Sequence, residues 1–244
     1  MLDKLKRSRA KLVWQETWSA DYGSRWTAHE GGGGFGNEEI QHYSDAQVQC
    51  APSHLTVHGH SDPEGNSFKS AKLICETPLG IPRGYIEAQV KHLPCSSGLW
   101  PALWLLPKQV IDGSIQWPAL GEVDIMETFG LDEQVTHAAH WGTHHLPEDG
   151  GKHHAQSHAH KPSQTVGLAF WPADEHGVRL EWYSDRERVA ECRCPSPPFA
   201  KDLSDFCLIL NLAMGGTATQ WKTPKAGRHT FELGDISLYD ARPF

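Results

Sequence analysis

The sequence predicts an all-β protein, a two-sheet sandwich or a barrel, on three observations. Short runs alternate apolar and polar residues with period two. Turn-forming stretches separate these runs. No long segment carries a 3.6-residue apolar period. One large β domain accounts for all 244 residues, with no internal repeat and no linker to divide them. Residues 1–244 are therefore read as a single domain, residues 1–11 being a basic extension; residues 2–12 form at best a short basic helix.

The elements follow in chain order. Gly31–Gly34 precedes no helix and no GK[ST] signal, so it reads as a surface loop at the rim of a groove rather than a phosphate loop. Phe68–Cys75 alternates through Ala71, Leu73 and Cys75 and reads as one strand. Gly84–His92 sets Ile86, Ala88 and Val90 against Tyr85, Glu87, Gln89 and Lys91, which gives one apolar and one polar face. Thr165–Trp171, Val178–Tyr183, Phe206–Ala213 and Thr230–Tyr239 are further strand runs. Ser61–Asn66, Pro147–Gly151 and Pro195–Pro198 supply turns.

Composition narrows the partners. A net charge of −8 disfavours nucleic acid and anionic membrane surfaces, and a neutral partner fits better. No run of 18 apolar residues is present. The basic N-terminus lacks the apolar stretch of a signal peptide, which leaves cytosolic and exported readings both open. Six cysteines (Cys50, Cys75, Cys95, Cys192, Cys194, Cys207) in a chain of this size read as free, partly buried thiols. Ten tryptophans offer flat apolar faces, some for the core and some for stacking on sugar rings.

The chemistry concentrates in G121-E-V-D-I-M-E-T-F-G130, where Glu122, Asp124 and Glu127 interrupt an apolar strand-like run. Desolvating a charge is costly unless it is paired or used, so three acids here need a reason. On a regular strand Glu122 and Asp124 share a face and Glu127 points away. One extra residue, a β-bulge near Ile125 or Met126, brings Glu127 back. Two glutamates flanking an aspartate on one surface suit glycoside hydrolysis, in which close carboxyls split their pKa values into an ionised and a protonated member. Spacing alone also admits a hard-cation site or a solvated edge.

The surrounding residues add a resemblance. G98-L-W-P-A-L-W-L-L-P107 followed by W117-P-A-L-G-E-V-D-I-M-E127 resembles glycoside hydrolase family 16, and within it the laminarinase (endo-1,3-β-glucanase) branch with its bulged E-x-D-x-x-E signature. L12-V-W-Q-E-T-W18, G36-N-E-E-I-Q-H-Y43, S70-A-K-L73, R83-G-Y-I-E-A-Q89, H140-W-G142 and L208-I-L-N-L-A-M-G-G216 have counterparts in the same order.

The resemblance implies a jelly-roll (concanavalin A-like) sandwich with an open cleft on its concave sheet, and retaining cleavage inside a β-glucan chain. Glu122 would be the nucleophile, Glu127 the general acid/base and Asp124 the group that holds the nucleophile's geometry. Trp117, Trp100, His140, Asn37 and Asn211 would contact substrate, while Trp104 reads as partly core. A non-catalytic glucan-binding protein, the same chemistry on mixed-linkage glucan or a galactan, and transglycosylation remain as alternatives.

The resemblance also implies a secreted monomer without a cofactor. Phe35 and Lys72 stand where the family usually has tryptophan and arginine, and Trp221 is displaced from the usual place after N-L-A-x-G-G. A structural Ca²⁺ of the family would use Glu16 and a late aspartate, but Asp235 is shifted by one residue and so turned to the other face. Eight of sixteen histidines lie from His137 to His160, including His144, His145, His153, His154, His158 and His160; this tract reads as a solvated, pH-sensitive loop rather than a metal site.

Overall fold

The period-two runs pair into two packed sheets. The structure is a computed structural model that describes residues 10–19, 22–23, 25–142, 152–173 and 177–244. A seven-stranded cleft sheet runs in the order Lys152–Ala159, Gln134–Trp141, Glu122–Glu127, Leu99–Pro107, Phe206–Met214, Lys72–Cys75, Trp26–Ala28. A ten-stranded back sheet follows the path Glu187–Pro195, Gly177–Ser184, Gln164–Pro172, Gly84–His92, Gly227–Tyr239, His54–Ser61, Phe68–Ser70, His42–Tyr43. Leu12–Glu16 pairs with Gly227–Tyr239, and Val48–Ala51 with His54–Ser61. Among the described residues all pairings between these strands are antiparallel except His42–Tyr43 with Phe68–Ser70. Of the two architectures that the strand pattern allows this is the sandwich, and it is the jelly roll that the resemblance implies.

Alternation explains what lies between the sheets. Leu103, Leu105, Val123, Ile125 and Met126 of the cleft sheet meet Ile86, Ala88, Val90, Leu168, Phe170 and Trp182 of the back sheet in one core. Non-local pairing of this kind buries most apolar surface in a chain of this length. The outer face of Gly84–His92 is less polar than its pattern suggests. Tyr85 is buried there with Ala169 and Tyr183 in a second small cluster.

Three expectations need correction. Phe68–Cys75 is two strands, Phe68–Ser70 in the back sheet and Lys72–Cys75 in the cleft sheet, because the chain changes sheets at the buried Ala71. Period two continues through such a corner, so the sequence pattern does not mark it. The histidine tract is not a loop where it is described: His137 and His140 lie on Gln134–Trp141, and His158 on its hairpin partner Lys152–Ala159. Its residues 143–151, with His144, His145 and the Pro147–Gly151 turn, lie outside the described residues, as do residues 1–9 of the basic extension. Finally, Leu12 begins a strand rather than ending a helix. All six cysteines are free.

Candidate active site

The acid strand Glu122–Glu127 is central in the cleft sheet, between Gln134–Trp141 and Leu99–Pro107. Its register slips between Asp124 and Glu127 against the first neighbour and between Asp124 and Met126 against the second. The bulge therefore lies at Ile125–Met126. Val123, Ile125 and Met126 go to the core, while Glu122, Asp124 and Glu127 line the opposite, open side. Gly121 lets the chain enter this strand: its φ is +93°, and a Cβ there would run into the Phe199 ring.

All eight site residues named from the sequence line one cleft of about 790 Å³. Trp117 Nε1 donates to Glu122 Oε2 at 3.1 Å, and Trp100 Nε1 donates to Glu127 Oε1 at 2.8 Å. His140 Nε2 lies 3.0 Å from Asp124 Oδ2, and its ring centroid is 6.1 Å from that of Trp117. Asn37 and Asn211 are committed to protein partners. Asn37 Nδ2 donates to Glu39 Oε1 at 3.2 Å; Asn211 takes the Trp104 indole N–H at 2.8 Å and donates to the Tyr43 hydroxyl at 3.1 Å.

Burial governs the electrostatics. Asp124 is 3% and Glu127 8% exposed, and desolvation drives both carboxyls upward. Glu127 is pushed up to about 8, by burial first and the Asp124 charge second, against the opposing Trp100 N–H and His140. Glu122 is also held well above the carboxylate range, by burial and then by Asp124 and Glu127, while His140 and the Trp117 N–H pull it back. In three neighbouring buried acids each ionisation raises the cost of the next, so the trio gives up its protons in separate steps rather than all at once.

Several cleft residues carry no signal short enough to read in one segment. Trp104 is not core: with Trp100, Ala102 and Leu106 it faces the cleft, while Leu103 and Leu105 face inward. Counting alternation from Trp100 identifies it. Glu39 accepts from Asn37, Gln41 (2.7 Å) and Tyr43 (3.3 Å), forming a polar floor at one end. Phe129 packs against Trp100 with centroids 5.7 Å apart. The two departures Phe35 and Lys72 meet in space. The Lys72 ammonium sits 5.4 Å from the Phe35 centroid and 5.0 Å from that of Trp104. Burial lowers its pKa, and the Glu39 and Glu122 charges oppose the shift. Gly31–Gly34 leads into the rim, where Phe35, Gly36 and Asn37 line the cleft.

Atoms of Glu122, Asp124 and His140 lie within 4.8 Å of one another, close enough for a cation; among the described residues no other His, Cys, Asp and Glu side chains gather so. Of the residues read as the family calcium pair, Glu16 accepts from the Trp26 indole at 3.0 Å and lies 3.6 Å from Arg25, while Asp235 accepts from Gln15 at 3.4 Å.

Comparison with known proteins gives consistent matches. The family model described as "XgeA-like, catalytic GH16 domain" matches residues 82–169, the segment that contains the acid strand. A β-glucanase of Rhodothermus marinus is 27% identical over 239 residues, covering 86% of this chain and 79% of that protein. A glucan endo-1,3-β-glucosidase A1 of Niallia circulans is 28% identical over 215 residues, covering 79% of this chain; the chain spans only 30% of that relative. The laminarinase catalytic domain of Thermotoga maritima superposes with a TM-score of 0.75 at 25% identity, covering 94% of this chain and 98% of that one. The sandwich, the bulge that gathers its acids and the matches along most of the chain point to one conclusion: the protein is a glycoside hydrolase similar to the laminarinase-like members of family 16.

Proposed function

We propose that the protein is a retaining endo-hydrolase of β-glucan, with 1,3-linked glucan as its foremost substrate. The observation that carries this reading is the bulged strand with two glutamates, each held by a tryptophan N–H, on the floor of one open cleft. The named activities of the relatives support the substrate class. An open groove lined by Trp100, Trp104 and Trp117 suits the apolar faces of successive sugar units and leaves both chain ends free, which is what attack inside a polymer requires.

In this reading Glu122 attacks the anomeric carbon as a carboxylate, and Glu127 gives its proton to the departing glycosidic oxygen. Glu127 then takes a proton from water, whose oxygen displaces Glu122 from the glycosyl ester. Its raised pKa keeps Glu127 protonated at neutral pH, as the first step needs. Asp124 shares a proton with its neighbours, so that the negative charge rests on Glu122, beside the Trp117 N–H and His140. No metal or cofactor takes part, and one chain holds the whole cleft, so the monomer is the proposed active form.

The test is laminarin hydrolysis followed by reducing-end release, with proton NMR of the first products. Glu122→Gln should lower kcat at least about 10⁴-fold with binding retained, and the first product should be the β-anomer. Full activity in that variant, or an α-anomer as first product, contradicts the mechanism. Binding without hydrolysis by the unmodified protein would instead mark it as a glucan-recognition protein. Faster release from agarose, carrageenan or lichenan would move the substrate assignment and leave the chemistry in place.

A further inference from the structure

The bulge creates a backbone problem. An internal strand satisfies its carbonyls by pairing with both neighbours, and an extra residue takes some of them out of register. Here the slip occurs against both neighbours at once, over Asp124–Glu127 and Asp124–Met126. Two carbonyls of this stretch, those of Asp124 and Ile125, are each met by a ring nitrogen from the interior. The fully buried Trp182 of the back sheet donates Nε1–H to Asp124 O at 2.8 Å. The His137 ring lies with Nδ1 2.6 Å from Ile125 O.

His137 is an anomaly of the same sort as the acids. It occupies a core-facing position between Val135 and Ala139 and is only 1% exposed. In register it stands opposite the slip, since Thr136 faces Glu127 and Ala138 faces Asp124. A carbonyl can only accept, so Nδ1 carries the proton and Nε2 is left as an acceptor. That atom lies 3.0 Å from His158 Nδ1, with the two rings stacked 10° apart at 5.0 Å. His158 Nε2 lies 3.1 Å from Gln164 Oε1, which also accepts from Ser184 Oγ at 2.9 Å, while Gln164 Nε2 is buried without a partner; turning this amide over makes it the donor to His158 Nε2 and leaves His158 Nδ1 to carry the proton toward His137. Burial lowers the pKa of both imidazoles, which keeps the pair neutral. A second buried partner thus selects the tautomer that the Ile125 carbonyl requires.

We propose that His137 is a positioning residue: its Nδ1 proton, held in place by His158, locks the Ile125 carbonyl inside the bulge and so sets the direction of the Glu127 carboxyl two residues on. The proposal rests on the reading of Glu127 as acid/base. A merely space-filling His137 would affect stability and leave the chemistry of the folded enzyme alone, so the two roles separate experimentally.

The test uses the whole chain with His137→Phe, which keeps a ring and removes the donor, and His137→Asn, whose amide can donate from near the Nδ1 position. On laminarin, His137→Phe should lose about 10- to 100-fold in kcat with KM within about twofold, and His137→Asn should recover most of that loss. Long-range ¹H–¹⁵N NMR of the unmodified protein should show both His137 and His158 as Nδ1–H tautomers. The titration of the Glu127 carboxyl carbon, followed by ¹³C NMR, should move in His137→Phe; this signal needs no substrate and so stands or falls apart from the glucanase reading. A folded His137→Phe with kcat within twofold of the original, no rescue by Asn, or an Nε2–H tautomer at His137 overturns the proposal. If His137→Phe does not fold, the tautomers and a loss of about 3- to 10-fold in kcat in His158→Ala decide the matter.

Discussion

Glu127 sits where two opposing influences on a carboxyl meet. Burial and the Asp124 charge push it up to about 8, and the Trp100 N–H at 2.8 Å works in the other direction by favouring the anion. Trp100→Phe removes that donor, so the alkaline limb of the kcat/KM profile should move to higher pH, with kcat lower by about 10-fold; a limb that stays or moves down in pH contradicts the assignment. The same shift has a consequence for stability. A carboxyl whose pKa is raised on folding holds its proton more tightly in the native state, so stability is highest below its unfolded value near 4.5 and declines as pH rises toward 8. Glu127→Gln lacks this loss. It should be more stable than the unmodified protein by about 2 kcal/mol at pH 8 and no more stable at pH 4, as read by urea melts at the two pH values.

At the scale of the element, the acid strand depends on what flanks it. Gly121 combines a positive φ with contact on the Phe199 ring, directly before Glu122. Gly121→Ala should cost about 1–3 kcal/mol and reduce kcat more than it raises KM, because the strain enters one residue from the nucleophile; an unchanged denaturation midpoint and rate would show that the entry tolerates a side chain. The bulge itself was legible from composition. Acids at positions 122, 124 and 127 share a face only with one residue inserted, and the register breaks where that argument puts the insertion. The sheet change at Ala71 and the histidine hairpin were not legible. Period two looks the same on either sheet, and a histidine-rich run looks polar although His137 turns inward to a backbone carbonyl.

The whole molecule is held by packing between two sheets. Its six cysteines are free, so no covalent link restricts the unfolded chain. Adding dithiothreitol should leave the Tm within about 1 °C; a fall of several degrees would reveal a disulfide. The sequence by itself determined the β class, the acid triad with its bulge, and the aromatic and polar residues that the cleft gathers. These depend on alternation and on the cost of burying charge, both of which act over a few neighbouring residues. Only the tertiary structure decided that Phe35 and Lys72 meet in the cleft, that Asn37 and Asn211 are bound to protein partners, and that His137 and Trp182 reach the bulge from the core. Those relations join strands far apart in the chain, and they exist once sheet order and register bring the strands together.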